Sequence, residues 1–471
     1  MRVALSKFVA SQRAAVKTTF ICAAVFLSWF SAYGLRKPWG SGLYDGEPTL
    51  GLPAKDAIAL SQTVGYMLGK WMGTTWIPKL TRRQRLPLLL VMTAAAFVPL
   101  VAFALLESTV ARCAAMFLNG WPLGWFYGTL YLYLEGRKGA ELLGGAISAA
   151  YILGSGFSKS VGALLLDIGV QVGSMPAVAG LIFLPPTVFA MVLLDAAPEP
   201  SPEEQTTCGT RRPMTTSEQM AFFGRYRKGL VVHTIGYVAL TGLKDFRDSF
   251  QADIWSEVYD TPMPAAAFSV SELIVASMVI GSFAMLAPIQ SAARATLWID
   301  GLMLAGAVVL ILSSICSTWL FSVGSTGGVA WSVLCGIGIF SGYVPIGAMY
   351  YDRLVGALRC PATAVFMINV SDSAGYIGTI VLVLYKNYFS SRATGEATER
   401  AGVTYHAFFT SASLWAGLLL CTGNMFALHY WPTEFRQAVG VDSSQELEVV
   451  RPVGELERLT DGGDLRESVS E

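Results

Sequence analysis

Charged residues are scarce in this 471-residue sequence. Lys and Arg number 33, Asp and Glu also number 33, and together they make up 14% of the chain. The formal net charge is zero, and no basic patch is interleaved with aromatic residues, so the sequence offers no surface for nucleic acid. Hydrophobic residues make up 53% of the chain, far from the composition of a soluble globular domain. We therefore expect a protein that crosses the lipid bilayer several times.

The sequence also lacks the motifs of catalytic and cofactor sites. Its three histidines form no His-Glu-x-x-His zinc motif, and no Gly-x-x-x-x-Gly-Lys-Ser/Thr loop for nucleotide phosphates occurs. The seven cysteines include no Cys-x-x-Cys pair and lie mostly inside apolar segments, as small core residues do. The sequence therefore predicts no enzyme, no cofactor and no metal site.

Long apolar runs define the predicted architecture. A helix needs about 20 apolar residues to cross roughly 30 Å of hydrocarbon. The sequence thus predicts an all-α membrane protein with twelve transmembrane helices, near residues 18–36, 56–78, 86–106, 109–134, 142–167, 176–195, 228–248, 265–288, 296–316, 328–351, 361–386 and 405–430. A polar segment separates the sixth span from the seventh, which indicates two pseudo-symmetric six-helix bundles. The predicted parts are an N-terminal bundle at 1–195, a cytoplasmic linker at 196–227, a C-terminal bundle at 228–430 and a disordered cytoplasmic tail at 431–471.

Basic residues in the short loops predict the orientation. Four precede the first span without an acid and four crowd the loop after the second span, whereas the loop after the seventh span is acidic. We therefore expect both termini in the cytosol. These residues are Arg2, Lys7, Arg13 and Lys17, then Lys79, Arg82, Arg83 and Arg85, and on the acidic side Asp253, Glu257 and Asp260.

Glycines recur at four-residue spacing on two of the predicted spans. They are Gly65, Gly69 and Gly73 on the second span and Gly120, Gly124 and Gly128 on the fourth. Small residues at this spacing let the backbones of membrane helices approach closely. We therefore predict tight packing along these two faces.

Two apolar stretches, one in each half, end in a glycine-leucine step followed by closely spaced charges. The first reads Gly34-Leu35-Arg36-Lys37 and the second Gly242-Leu243-Lys244-Asp245-Phe246-Arg247-Asp248. A charge at the bilayer centre costs at least ~2.5–3.5 kcal/mol, so ionisable residues kept there usually line a substrate or ion path. The repeated placement favours a duplicated transporter with its binding site at these two positions.

The predicted site combines these positions with other polar residues of the spans. Arg binds an anionic group bidentately and Lys acts as a point charge, whereas acids can carry protons or balance the cations. The predicted substrate-binding residues are Tyr33, Arg36, Lys37, Lys70, Asn119, Lys159, Lys244 and Arg247. The predicted coupling or gating residues are Asp245, Asp248, Glu272 and Asp372, with Asp372 the preferred proton carrier.

Structural roles compete with each of these assignments. Arg36 and Lys37 could snorkel to the interface from a helix end. Lys70 or Lys159 could pair permanently with an acid of the second half, Asp372 or Glu272. The charges around Lys244 could neutralise one another, because residues four apart share a helix face. Tyr127, Tyr131 and Tyr376 could line a cavity, but tyrosines at span ends are more often interface anchors.

Two halves of six spans, a charged central segment and cytoplasmic ends resemble the major facilitator superfamily, whose halves enclose a site near the membrane midplane. More specific are the segments Ala32-Tyr33-Gly34-Leu35-Arg36-Lys37-Pro38-Trp39, Gly65-Tyr66-Met67-Leu68-Gly69-Lys70-Trp71, Leu118-Asn119-Gly120-Trp121-Pro122-Leu123-Gly124, Tyr133-Leu134-Glu135-Gly136-Arg137 and Lys244-Asp245-Phe246-Arg247-Asp248-Ser249-Phe250. Together they resemble an uncharacterised family within that superfamily, across about residues 18–430. The first two segments also resemble, more loosely, the organophosphate:phosphate antiporter branch.

The antiporter branch implies that one basic residue on the first helix and one on the seventh grip a substrate phosphate. Arg36 or Lys37, and Lys244 or Arg247, occupy similar places. The loop between the second and third helices departs from the superfamily pattern, because it keeps the basic end but lacks the usual aspartate. The departure concerns the cytoplasmic latch, and the fold we expect is the major facilitator fold.

Together these features predict a secondary active transporter that moves a small organic anion, phosphorylated or carboxylated, by alternating access. Its partners would be that anion, protons or a counter-substrate, and the lipid bilayer, and we expect a monomer. A proton-coupled carrier of an amino acid or sugar is the nearest alternative, because the acids of the second half could couple to protons. A sensor or scaffold derived from a transporter is an alternative of another class.

Overall fold

The computed structural model describes residues 8–9, 11–134, 137, 140–200, 216–259, 262–286, 288–359, 364–393 and 404–449. This described part is built of helices and contains no β-strand. Each helix satisfies its own backbone hydrogen bonds, which is why apolar segments of this kind can enter a bilayer. The long helices are α1 Ala14–Ala32, α2 Ala54–Trp76, α3 Arg82–Leu105, α4 Thr109–Tyr131, α5 Ala140–Asp167, α6 Met175–Asp195, α7 Thr216–Ser256, α8 Ala266–Ala284, α9 Ala292–Ile315, α10 Ser325–Pro345, α11 Ala364–Ala393 and α12 Tyr405–Val449.

Seven helical segments of the described residues are long and apolar enough to cross a membrane, so this is an integral, multi-pass membrane protein. The other long helices are shorter in their apolar part or carry more polar side chains, such as Lys70 on α2 and Asp372 on α11. The seven segments are Ala14–Leu35, Arg82–Leu105, Leu143–Asp167, Met175–Asp195, Ala292–Ile315, Ser325–Ala357 and Tyr405–Ala438.

Three interruptions of the helices shape the interior. After α1 the chain tightens into the 3-10 turns Tyr33–Leu35 and Pro38–Ser41, since Pro38 lacks the N–H that a continuing helix needs. A π-helical segment, Ile346–Tyr350, follows α10 and leads into the short helix Tyr351–Ala357. Another short helix, Ser317–Ser322, lies between α9 and α10.

The last residues of the predicted linker and the first residues of the predicted tail are helical. Helix α7 begins at Thr216 and bends at Tyr226, where φ is −105° and ψ is 17°, so its first turns precede the predicted span. Helix α12 continues to Val449, past the predicted start of the tail at 431, because Trp431 and Phe435 are buried against the bundle. The linker residues 201–215 and the tail residues 450–471 lie outside the described residues.

Glycines set the close packing of α2 on α4. A Cβ atom added to Gly69 would lie 1.9 Å from the carbonyl oxygen of Trp121, and one added to Gly120 would lie 2.2 Å from that of Gln62. These distances are far below van der Waals contact, so only glycine fits. The tight packing predicted from the four-residue spacing is confirmed for this pair of helices.

Candidate substrate-binding site

A cavity lies between the helices that precede residue 196 and those that follow residue 215. About 540 Å³ of space not filled by atoms lies within its outline, including the open solvent at its mouth. Helices α1, α2, α4 and α5 line it from the first half, and α7, α10 and α11 from the second. The lining consists of Trp29, Tyr33, Arg36, Tyr66, Lys70, Tyr127, Ser148 and Tyr151, and of Tyr237, Lys244, Tyr343, Val344, Gly347, Ile368, Asp372 and Tyr376.

Arg36 reaches the cavity from the unwound end of α1. Its guanidinium lies over the ring of Tyr66, 3.9 Å from the centroid, and 5.7 Å from the centroid of Tyr33. The residue is only 7% exposed. Among the described residues no carboxylate lies within ion-pair distance of Arg36, and its Nε makes no hydrogen bond. A buried guanidinium thus faces the cavity with aromatic neighbours but without a fixed counter-ion.

Two buried amides hold the turn that presents Arg36. Gln62 of α2 donates from Nε2 to the Arg36 carbonyl at 3.0 Å and to Asn119 Oδ1 at 2.8 Å. Asn119 of α4 donates from Nδ2 to the carbonyl oxygens of Leu35 at 3.1 Å and Ala96 at 2.7 Å. Asn119, predicted to bind substrate, is therefore fully buried behind the cavity wall. It fixes the backbone on which Arg36 sits.

Lys244 faces the cavity from α7. Its Nζ lies 3.0 Å from Asp245 Oδ1 and 4.7 Å from the centroid of the Tyr343 ring. Asp245 is held in turn by the hydroxyl of Thr379, which donates to Oδ2 at 3.0 Å. The charge of Lys244 is thus partly balanced by its neighbour in sequence, as one of the structural alternatives anticipated.

Lys70 and Asp372 form an ion pair across the cavity, between α2 of the first half and α11 of the second. The hydroxyl of Tyr237 donates to Asp372 Oδ1 at 3.0 Å. Asp372 is the acidic side chain among the lining residues, whereas Arg36, Lys70 and Lys244 are basic. Three cations against one carboxylate leave the lining with a formal charge of +2.

The predicted residues Lys37, Lys159 and Asp248 join the two halves at the end of the bundle where α1 and α7 finish and α2 begins, together with neighbours that were not predicted to belong to the site. We call this group the distal cluster. Asp248 of α7 binds two lysines of the first half, and three further side-chain pairs of the cluster follow the same pattern of one partner from each half. The contacts are Lys37–Asp248 at 2.9 Å, Lys159–Asp248 at 3.0 Å, Lys55–Asp253 at 2.5 Å and Lys386–Asp56 at 3.0 Å, with Ser155 also donating to Asp248.

Arg247 and Glu272 pair within the second half. Arg247 Nη1 donates to Glu272 Oε1 at 2.7 Å, and Nη2 donates to the carbonyl oxygen of Ser332 at 3.0 Å. Both side chains are at most 2% exposed. They link α7, α8 and α10 away from the cavity lining, so neither belongs to the site we propose. The proposed site also excludes Lys37, Lys159 and Asp248, because they are bound to one another in the distal cluster.

Comparison with known proteins identifies the family. Residues 38–433 match the family described as a family of unknown function, DUF5690. The chain belongs to this family. A search of curated protein sequences finds no match.

The fold of this DUF5690 chain is similar to that of transporters of the major facilitator superfamily. A D-xylose–proton symporter has a TM-score of 0.57 at 13% identity, covering 86% of this chain and 96% of its own. A bacterial homologue of the human lysosomal transporter Spinster has a TM-score of 0.57 at 12% identity, covering 91% and 99%. The human organic anion transporter MFSD10 has a TM-score of 0.53 at 12% identity, covering 88% and 100%. These solved structures are transporters and not enzymes.

The sequence did not predict most of the tyrosines that line the cavity of this chain. Tyr127 and Tyr376 line it although their positions near span ends favour interface anchors, and Tyr131 stacks on Tyr127 at 6.3 Å. Tyr66 and Tyr237 carry no sequence signal at all, because a tyrosine facing a cavity and one facing lipid read alike. Tyr151 and Tyr343, which pack edge to face at 6.0 Å, complete this set.

Proposed function

We propose that this protein is a secondary active transporter of a small organic anion, phosphorylated or carboxylated. The transporter would have twelve spans in two pseudo-symmetric halves of six, with both termini in the cytosol, and would work by alternating access of the halves around the central cavity. One observation carries the proposal: the guanidinium of Arg36 is buried in that cavity, and in the described part of the chain no carboxylate lies within ion-pair distance of it.

The energetics of a buried charge favour an anionic ligand. An unpaired buried charge is costly, because it loses hydration without gaining a counter-ion. A phosphate or carboxylate entering the cavity would supply that counter-ion and could accept two parallel hydrogen bonds from the planar guanidinium. Lys244 would add a point charge from the second half and Lys70 another from the first, with Tyr33 beside Arg36. These four residues form the binding site we propose.

The comparisons with solved structures do not determine the substrate, so the substrate is proposed from the residues that line the cavity. The D-xylose–proton symporter and the human organic anion transporter are named for different substrates but share one fold. Identities near 12% support the fold alone. The loose resemblance to the organophosphate:phosphate antiporter branch supports a phosphorylated substrate, since that branch implies basic grips on the first and seventh helices. Arg36 and Lys244 stand at those places.

Coupling would involve the acids closest to the bound anion. Asp372 forms an ion pair with Lys70, which lines the cavity. An anion that attracts Lys70 would weaken this ion pair and so allow Asp372 to take up a proton. Asp245 would respond in the same way through Lys244. A proton or a counter-substrate could thus exchange with the anion at one site.

Solute counterflow in proteoliposomes tests the proposal. Vesicles preloaded with one member of a panel would be tested for uptake of the labelled compound, using phosphate esters, small carboxylates, neutral sugars and zwitterionic amino acids. We expect saturable counterflow for one class of anion, reduced at least 100-fold in Arg36→Gln and partly retained in Arg36→Lys. Arg83→Gln, which removes an exposed charge far from the cavity, is the matched control and should transport normally.

One result would refute the anion assignment, and another would refute transport. Counterflow of sugars or amino acids that survives Arg36→Gln would favour a proton-coupled carrier. Saturable anion binding without any counterflow in correctly inserted protein would favour a sensor or scaffold.

A further inference from the structure

A second buried polar cluster lies in the second half, outside the central cavity. Asp300 of α9 and His233 of α7 face Tyr350, the last residue of the π segment, and Trp431 of α12. We call these four residues the histidine cluster. Asp300 is 0% exposed and His233 is 2% exposed. Among the described residues no Lys or Arg is paired with Asp300. An ionisable side chain kept inside a membrane bundle in this way marks a functional site by default.

The contacts of His233 fix its protonation state. The indole Nε1–H of Trp431 can only donate, and it points at His233 Nε2 across 3.2 Å. Nε2 must therefore offer its lone pair, so the imidazole is neutral and carries its proton on Nδ1. The Tyr350 hydroxyl also contacts Nε2. Because Nε2 carries no hydrogen, the hydroxyl is the donor of this contact and shares the Nε2 lone pair with Trp431. The approach of His233 to Asp300 Oδ1, at 3.5 Å, is thus no ion pair.

The neutral histidine leaves Asp300 without donors if its carboxyl is ionised. The Tyr350 hydroxyl lies beside Asp300, but it donates its one hydrogen to His233, and neither carboxyl oxygen receives a well-oriented hydrogen bond. A bare carboxylate at this depth would lose its hydration without compensation. The neutral acid avoids that loss, because its own O–H can donate to the Tyr350 oxygen. The proton then sits at the head of a chain from Asp300 through Tyr350 to His233.

The π segment connects this proton to the cavity wall. Gly347, from the middle of Ile346–Tyr350, lines the cavity, as do Tyr343 and Val344 just before it. Tyr343 stacks on Tyr237 with ring centroids 5.0 Å apart, and Tyr237 binds Asp372. A π segment is a wide helical turn that often occurs at functional sites. One end of it is held by the histidine cluster and the other forms part of the cavity.

We propose that Asp300, Tyr350 and His233 form a buried proton-binding site whose occupancy sets the conformation of the π segment. Loss of the Asp300 proton creates a carboxylate that competes with His233 for the Tyr350 hydroxyl hydrogen. The Tyr350 hydroxyl, which already lies beside both groups, then donates to Asp300 instead of His233. Loss of the contact with His233 releases the segment that ends in Tyr350, and the cavity wall at Gly347 moves with it. This site lies apart from the anion site and does not depend on which solute the cavity binds.

Infrared spectroscopy of the full-length protein in lipid tests the proton itself. We expect the carbonyl stretch of a protonated carboxylic acid at neutral pH, lost in Asp300→Asn and retained in Glu257→Gln. Glu257 is a suitable control because it accepts hydrogen bonds from the backbone N–H groups of Tyr405 and His406 at 2.8 and 2.9 Å, as an ionised acid does. If Asp300→Asn does not fold, Tyr350→Phe serves instead, since removing the acceptor should shift the band to higher frequency.

Hydrogen exchange tests the link to the cavity. Exchange of the amides in residues 343–350 should change with pH in the parent protein, and the change should disappear in Asp300→Asn, whose neutral amide imitates the protonated acid. A carboxylic band that survives Asp300→Asn, or that keeps its frequency in Tyr350→Phe, would overturn the proton site. An identical pH profile of exchange in the parent and in Asp300→Asn would overturn its connection to the π segment.

Discussion

The distal cluster gives the sharpest prediction about how the two halves move. Asp248 of the second half lies 2.9 Å from Lys37 and 3.0 Å from Lys159, both of the first half. The lysine side chains are 4% and 0% exposed, and that of Asp248 is 11% exposed. Substituting Asp248 by Asn removes the one charge that two buried ammonium groups share. We expect the halves to separate at this end.

The size of the effect follows from the two contacts. At an effective dielectric constant of about 20, Coulomb's law gives about 5–6 kcal/mol for each contact before desolvation is subtracted. Removing one partner of a buried ion pair costs about 3–5 kcal/mol, because the other charge stays buried and unpaired. Separation lets water reach Lys37 and Lys159, so most of this cost disappears in the separated state. A shift of that size is more than half of the roughly 5.5 kcal/mol that moves a two-state equilibrium from 1:99 to 99:1.

Spin labels at Leu50 and Val323 report the separation. Both residues are exposed, at 96% and 56%, and they follow the ends of α1 and α9 that lie on the distal side. Pulsed dipolar spectroscopy should show a population at longer distance in Asp248→Asn that is minor in the parent. Glu257→Gln is the matched control, since its contacts stay within the second half, and it should leave the distances unchanged.

The reasoning fails if Asp248→Asn lowers the thermal stability while the distance distribution stays that of the parent. Such a result would mean that the lysines are held for stability of a single packed state. It would also remove the distal cluster from any account of alternating access.

Three further predictions concern the support of the site. Asn119→Leu removes three buried hydrogen bonds, so it should lower the stability measured by thermal denaturation by about 1–3 kcal/mol. It should also weaken anion binding, because the turn that carries Arg36 loosens, and a variant of parental stability would contradict the network. Gly69→Ala should lower stability by about 1–3 kcal/mol through overpacking against Trp121, whereas Gly301→Ala, with open space around it, should not. The double variant Lys70→Gln/Asp372→Asn should lose less stability than the sum of the losses in the two single variants, because each single variant leaves the other charge unpaired. Purely additive losses would show that the pair does not interact.

Local patterns made much of the helical framework predictable. Runs of apolar residues indicated the long helices, and glycine spacing indicated the contact of α2 with α4. The charge after the first glycine-leucine step indicated that Arg36 belongs to the site, because a cation inside a span usually either binds a ligand or snorkels. The same cost of a buried charge placed the pairing of Lys70 with Asp372 among the alternatives.

Apart from the pairing of Lys70 with Asp372, contacts between distant parts of the chain could not be predicted. Lys386 and Asp56 are separated by 330 residues, and nothing in either segment indicates the other. His233, Asp300 and Tyr350 lie on different helices and form no motif. The side of a helix that faces a cavity depends on how the two halves meet, so Asn119 and Arg247 could be placed in spans but not on a face.

The measurement that tests the central claim most directly is the thermal stability of the purified protein with a panel of small organic anions at constant ionic strength, compared with Arg36→Gln. A ligand that binds only the folded state stabilises it by about 2.7 kcal/mol at 100 times its dissociation constant. We predict that one class of phosphorylated or carboxylated compounds raises the unfolding temperature of the parent and leaves that of Arg36→Gln unchanged. Equal stabilisation of both proteins, or stabilisation of the parent by neutral compounds alone, would contradict an anion site at Arg36.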